Sequence, residues 1–114
     1  MTAWIDTIEF PDAWIDLRRL GDRFARRRLV ASHRKEIRRE IAPGHVLHGL
    51  GWRIIGLGVP ARDDALLRLA DGRVALVHVT WRGAPEPPSW PMTTFVSSPD
   101  ELRAELADRG YELD

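Results

Sequence analysis

The first third of the chain has hydrophobic residues at helical spacing, in two separate stripes. Asp12 is a suitable N-cap and Pro43-Gly44 is a helix-ending pair, so we predict helical structure over residues 12–42. On one continuous helix the stripes would lie about 130° apart, so the helix bends near Gly21 or its ends pack against different surfaces. The stripes are Trp14, Leu17, Leu20 and Phe24, then Leu29, His33, Ile37 and Ile41.

Residues 51–97 are predicted to form an antiparallel sheet of about four strands. The clearest signal is Asp71-Gly72 between two apolar runs, which is typical of a tight hairpin turn. A two-residue turn at this point would place Leu67 opposite Leu76. Both faces of the hairpin carry apolar residues, so we expect its second strand to be central and covered on both sides.

The last segment has complete start and stop signals for a helix over residues 98–109. Ser98 is at the N-cap, Pro99 is at the first helical position and Gly110 follows the last turn. A helix, several strands with short connections and a second helix indicate an α+β fold. A length of 114 residues is typical of a single domain over residues 1–114.

The composition removes several function classes. The chain has no cysteine, which excludes disulfides, thiolate zinc sites and a cysteine nucleophile. No apolar run approaches the roughly 20 residues of a membrane helix, and acids stand at the start, where a signal peptide would be basic. We therefore expect a cytoplasmic protein that does not contact a membrane, and the sequence suggests no cofactor.

The charges are unevenly placed, although their sum is zero. Between Arg18 and Glu40 there are ten basic residues and three acids. Such a segment could contact phosphates, which makes nucleic-acid binding an alternative function. A solvated helix face explains the same pattern, and zero net charge argues against long-range attraction to nucleic acid. We therefore do not favour nucleic acid as the partner.

Three histidines and two aspartates form an alternative candidate polar site. The predicted hairpin places Ala65 opposite His78, so a histidine–aspartate pair for acid–base chemistry is geometrically reasonable. No serine stands in a nucleophile-like context, and histidine spacing in a loop is a weak metal signal. We therefore predict no catalytic residue and no metal ligand, and lean against an enzyme. The candidate residues are His45, His48, Asp63, Asp64 and His78.

The segment from Trp81 to Pro91 combines two tryptophans with four prolines. Prolines fix much of its backbone before a partner arrives, and tryptophan and arginine are enriched at interface centres. The candidate interface residues are Trp81, Arg82, Glu86 and Trp90. The alternative is that Trp90 covers the sheet edge while the prolines block edge pairing. His78 and Trp81 would point to opposite faces of one strand, which argues against one compact catalytic site.

The stretch from residue 37 to residue 96 resembles a family of small, uncharacterised bacterial proteins. The matching pattern is P-G-H-x-L-x-G, two aspartates, D-G-R-x-A-x-V-H-x-T-W, a glutamate and W-P. Its positions here are Pro43, Gly44, His45, Leu47, Gly49, Asp63, Asp64, residues 71–81, Glu86, Trp90 and Pro91. The resemblance implies a freestanding α+β domain and brings no activity or cofactor.

These observations together predict a small cytoplasmic protein–protein interaction domain. The narrowest hypothesis is an immunity-type or antitoxin-type protein that neutralises a toxin or enzyme by occlusion. A small enzyme with a histidine–aspartate site and a nucleic-acid binder are the alternatives. The identity of the partner, the biological process and the oligomeric state stay open.

Overall fold

The structure, a computed structural model, describes residues 3–59 and 63–111. The described residues form an α+β fold with a five-stranded antiparallel sheet, one strand more than the predicted number. The elements in chain order are α1 (Trp4–Thr7), β1 (Trp14–Asp16), α2 (Arg23–Glu40), β2 (Trp52–Gly58), β3 (Asp64–Leu69), β4 (Val74–His78), β5 (Thr93–Val96) and α3 (Pro99–Asp108).

The helix that corresponds to the predicted segment of residues 12–42 is α2, which is shorter than that segment. It begins at Arg23, where the Asp22 carboxylate accepts hydrogen bonds from the backbone N–H groups of Phe24 and Ala25. The first hydrophobic stripe lies mostly before this cap, and residues 14–16 form β1 instead. The 130° between the stripes therefore reflects two different elements and not a bend within one helix.

The strands lie in the sheet in chain order, from β1 to β5. Each strand pairs antiparallel with the next one along the chain. A bulge between Ile54 and Gly56 shifts the register of β2 against β3. A side chain at Gly56 would meet the Phe10 ring at 2.9 Å, which explains the glycine at this position.

The predicted register of the β3–β4 hairpin is wrong by one residue. The turn has three residues, since the Leu69 N–H donates to the Arg73 carbonyl and Gly72 has a φ of 92°. The Asp71 carboxylate accepts from the Arg73 N–H, which stabilises this wider turn. Leu67 consequently faces Ala75 and not Leu76. Because side chains alternate, this slip exchanges the two faces of β4 relative to β3.

The corrected register divides the core into two layers, one on each side of the sheet. Helix α2 covers one side through Ile37, which packs with Leu67, Val77 and other residues of that face. Helices α1 and α3 cover the other side. The second layer comprises Ile5, Trp14, Ile55, Leu66, Val74, Leu76, Val96, Leu102 and Leu106. As predicted, β4 has a neighbour on each edge and a covered surface on each face.

Helix α3 begins as its sequence predicts. The Ser98 hydroxyl accepts from the Glu101 N–H, and Pro99 occupies the first turn. The Glu101 carboxylate accepts from the N–H of Ser97, one residue before Ser98, whose N–H would be the partner of Glu101 in a capping box. Gly110 has a φ of 89° and ends the helix in the left-handed conformation that glycine favours. This helix end is important because it positions Arg109 and Tyr111 against the sheet.

Candidate functional site

The segment between β4 and β5, residues 79–92, forms one irregular loop that passes beside α2. We refer to it as the 79–92 loop. Trp81 has a φ of 59°, a left-handed conformation that is uncommon for a residue with a bulky side chain. Gly83 has a φ of 74°, so the loop reverses direction within a few residues. Such a backbone persists when surrounding contacts hold it in place.

Two carboxylates of α2 provide those contacts. The Glu40 carboxylate accepts hydrogen bonds from the N–H groups of Thr80 at 2.9 Å and Trp81 at 2.8 Å. The Glu36 carboxylate accepts from the Gly83 N–H at 2.8 Å. Both glutamates are buried, and the Glu40 backbone carbonyl also accepts from the Glu86 N–H. The helix therefore holds the backbone of the loop at four points.

The pKa values of the two glutamates are shifted in opposite directions by burial and by the hydrogen bond between them. Burial raises the pKa of Glu40, and its hydrogen bond to the Glu36 carboxyl adds to the increase. That same hydrogen bond lowers the pKa of Glu36, helped by the Gly83 N–H and by Arg39. The pair therefore retains a proton more readily on Glu40, and a shared proton removes the repulsion between two buried charges.

The loop presents its aromatic side chains to solvent although its backbone is fixed. The side chain of Trp81 is 43% exposed, its ring packs edge-on against His33 of α2 at 4.8 Å, and its Nε1 donates to Asp63. Trp90 is 41% exposed and Met92 is 50% exposed. Exposed tryptophans on a fixed backbone make the 79–92 loop a candidate contact surface, because tryptophan is enriched among interface anchors.

The other two candidate interface residues form an ion pair with each other. The Arg82 guanidinium donates to the Glu86 carboxylate at 2.7 Å. The arginine is exposed, whereas the glutamate side chain is largely buried. Glu86 therefore orients Arg82 within the loop, and only the arginine is available to a partner.

The second candidate region is centred on the buried carboxylate of Asp64. The corrected register places Asp64 directly opposite His78, and His78 Nδ1 lies 3.0 Å from Asp64 Oδ1. Arg109 donates to the same oxygen at 2.7 Å, and the Tyr111 hydroxyl donates to Oδ2 at 2.7 Å. The carboxylate thus joins strands β3 and β4 to the end of α3.

Charge and hydrogen bonding set the ionisation of this cluster. Burial by itself would raise the pKa of Asp64, but the Tyr111 and His78 hydrogen bonds and the charge of Arg109 outweigh it. The pKa of Asp64 therefore lies below its ordinary value. Burial and the nearby aspartate raise the pKa of Tyr111. Asp64 is therefore ionised at neutral pH and orients His78, whose side chain is half exposed.

The structure does not bring the five residues of the alternative polar site together in one place. His45 is buried, its Nε2 donates to the Pro91 carbonyl at 2.9 Å, and its Nδ1 accepts from the Leu47 N–H. Both ring nitrogens are thereby used to fix the loop ends, so His45 has a structural role. His48 is exposed. Over residues 3–59 and 63–111, no group of three or more histidines and carboxylates is placed to hold a metal ion.

The candidate regions lie on opposite sides of the sheet. Trp81 packs on α2, whereas Asp64 bonds to residues at the end of α3. The sequence prediction missed Glu36 and Glu40, although two acids four residues apart in a basic helix are a usable signal. It also missed Arg109 and Tyr111, because only the tertiary fold brings these two residues to the sheet.

Comparison with known proteins adds no relative. The chain matches no protein-family model, and no curated protein or solved structure shows significant similarity to it. Among the described residues, no helix combines the length and the apolar character needed to cross a membrane.

Proposed function

We propose that this chain is a small cytoplasmic binding protein that contacts another protein through its 79–92 loop. The observation that supports this proposal is the contrast within the loop. Its backbone is held by the carboxylates of Glu36 and Glu40, whereas Trp81 and Trp90 stay more than two fifths exposed. A surface arranged in advance loses little conformational entropy on binding.

The chemistry of the loop indicates what the partner must offer. Trp81, Trp90 and Met92 supply apolar area, and Arg82 supplies a charge that Glu86 orients. We expect a folded partner with an apolar pocket and an acidic group at its rim. An immunity-type protein that covers a toxin or enzyme fits this description, and proteins encoded beside this chain are the first candidates to test.

A small enzyme is the second candidate function, and one observation favours it. Asp64 fixes the Nδ1 side of His78, which leaves Nε2 as the atom available for proton transfer. Arg109 and Tyr111 bond to the same carboxylate and make the cluster equally suitable for joining α3 to the sheet. Protein binding is therefore preferred.

The test compares Trp90→Ala with Phe95→Ala, a matched truncation of a similarly exposed aromatic on β5. A partner is first identified by cross-linking in the native host, and binding is then measured with both purified proteins. Trp90→Ala is expected to weaken binding about 30-fold, which corresponds to roughly 2 kcal/mol for an interface anchor. Phe95→Ala should retain the affinity of the unmodified protein, and neither variant should have a much lower melting temperature.

A large loss of folding stability in Trp90→Ala, with binding retained, would identify Trp90 as a packing residue. Truncating a buried tryptophan costs about 3–5 kcal/mol of folding stability. If Trp90→Ala loses stability on that scale and still binds the partner, the 79–92 loop is not the contact surface. An acid–base activity that disappears in His78→Ala would instead support the enzyme.

A further inference from the structure

The exposed surface of α2 is strongly basic because its two acids face the 79–92 loop. The helix contains eight basic residues, and its only carboxylates, Glu36 and Glu40, are buried against backbone N–H groups. The basic residues are Arg23, Arg26, Arg27, Arg28, Arg34, Lys35, Arg38 and Arg39. The outward face of this helix therefore carries positive charge, with no acidic residue of α2 among the exposed cations.

Most of these cations have no carboxylate partner of their own among the described residues, although the Arg38 guanidinium lies over the Trp52 ring, 5.8 Å from its centroid. In the described part of the chain, Arg39 is the one basic residue of α2 with a carboxylate within 4 Å, and that contact to Glu36 is long at 3.8 Å. Among the described residues outside α2, several arginines do have carboxylate partners. They are Arg18, Arg19, Arg68, Arg73, Arg82 and Arg109. Most of the positive charge of α2 is thus available to an external anion.

The cations of α2 are arranged in two rows along the helix. With 3.6 residues per turn, the rows lie about 100° apart around the axis and together span about 140° of the surface. One row contains Arg27, Arg34 and Arg38, and the other contains Arg28, Lys35 and Arg39. Phe24 lies between the rows near the N-terminus of the helix and is 77% exposed. No residue of α2 before His33 is buried, so the face is open.

We propose that this face of α2 binds duplex DNA through the phosphates, independently of base sequence. A helix with its side chains is about 10–12 Å wide, which matches the major groove of about 12 Å. A helix lying along that groove would direct one row of cations to each phosphate strand. The six cations extend over about 18 Å, at 1.5 Å per residue.

The distribution of apolar groups favours DNA over an acidic protein as the ligand. Protein interfaces have an apolar centre depleted in charge, which the 79–92 loop provides and the α2 face does not. Ala31 and Phe24 are the apolar residues between the rows, and all their neighbours on this face are cations or Ser32. This site is separate from the protein contact proposed above and does not depend on it.

The experiment measures fluorescence anisotropy of a labelled DNA duplex of about 20 base pairs while the salt concentration is varied. If all six cations contact phosphates, the slope of log affinity against log salt is about −5. Between about 50 and 200 mM salt the affinity should then fall about a thousandfold. Arg27→Glu with Lys35→Glu, one residue from each row, should make the slope shallower by about 2 and weaken binding at least about tenfold.

The matched control is Arg53→Glu with Arg73→Glu, which changes the net charge equally but lies outside α2. It should keep the affinity and slope of the unmodified protein. The pair Arg28→Gln and Arg34→Gln repeats the test without new acids, should the first variant fail to fold. A control that weakens binding equally, a single strand that binds more tightly than the duplex, or polyglutamate of equal charge that binds as tightly would each overturn the proposal.

Discussion

Two buried carboxylates in this chain, Glu40 of α2 and Asp64 of β3, have opposite surroundings. Asp64 receives hydrogen bonds from the side chains of His78, Arg109 and Tyr111. Glu40 receives them from two backbone N–H groups and lies beside another acid. Accordingly, the pKa of Asp64 is lowered and that of Glu40 is raised. Comparable burial thus accompanies opposite pKa shifts, because the nature of the partner decides which form is stabilised.

The comparison also separates two structural roles. Asp64 connects side chains of different elements, so its loss is partly compensated by the contacts that those side chains keep, such as Arg109 with Glu105. Glu40 satisfies main-chain donors that have no other acceptor in the described contacts. Replacing a carboxylate that organises a backbone should therefore have a larger effect than replacing one that connects side chains.

The largest expected effect is that of Glu40→Ala. The substitution leaves the N–H groups of Thr80 and Trp81 without their acceptor, and each unsatisfied buried donor costs roughly 1–3 kcal/mol. We expect a loss of about 2–6 kcal/mol in the free energy of unfolding, measured with urea. Changes in tryptophan fluorescence should accompany it, since Trp81 lies in the released loop.

The matched variant is Glu36→Gln. Its amide oxygen can accept from Gly83 while the amide NH₂ donates to Glu40, so both hydrogen bonds are retained and only the long contact with Arg39 loses its charge. We expect this variant to stay within about 1 kcal/mol of the unmodified protein. An equal loss in both variants would show that charge, and not the acceptor geometry, holds the loop.

A smaller effect, with a defined pH dependence, is expected for Asp64→Asn. At neutral pH the substitution should lower the free energy of unfolding by about 1–3 kcal/mol, because Arg109 and Tyr111 lose a charged acceptor. The folded pKa is lowered, so the stabilisation is present above the unfolded value near 3.8 and is lost as the pH falls through the folded pKa. Urea unfolding at a series of pH values should show the difference between variant and unmodified protein disappearing below about pH 4.

Glu40→Gln tests the opposite sign in the same measurement. The folded pKa of Glu40 lies above 4.5, so the unmodified protein gains stability as the pH falls through that pKa towards the unfolded value. The variant lacks this carboxyl group and does not gain that stability. The difference in the free energy of unfolding between the unmodified protein and the variant should therefore grow on acidification. If the stability losses of Asp64→Asn and Glu40→Gln changed in the same direction with pH, the two carboxyl groups would not have opposite pKa shifts.

The smallest expected effect is that of His78→Ala. The histidine side chain is half exposed, and exposed ion pairs contribute about 1 kcal/mol or less. Asp64 keeps Arg109 and Tyr111 in this variant, so differential scanning calorimetry should show almost unchanged melting. A loss similar to that of Asp64→Asn would mean that His78 is the main partner of the carboxylate.

The sequence was most informative where its signals are local. The N-cap at Ser98 and the hairpin at Asp71-Gly72 are short patterns, and both elements are present. The helix start was predicted wrongly because Asp12 and Asp22 are equally good caps by sequence. The hairpin register failed because Asp-Gly also fits a three-residue turn with the glycine in the left-handed conformation.

The candidate sites were predictable only in part, for a similar reason. The Asp64–His78 pair followed approximately from the hairpin, since both residues belong to neighbouring strands. The contacts of Glu40 with Thr80 and Trp81 join positions about forty residues apart, and they depend on how α2 lies across the sheet. No periodic pattern in a single sequence encodes that arrangement.

The chain-order arrangement of the strands has a consequence for the sequence of folding events. Strands β2, β3 and β4 pair in chain order across short connections, which favour rapid folding, whereas the segment that contains α2 separates β1 from β2. Helix α2 is synthesised before four of the five strands, yet the N–H groups that bind Glu36 and Glu40 follow β4. We therefore expect the helix to dock late during synthesis on the ribosome, after the hairpin has formed and the loop has emerged.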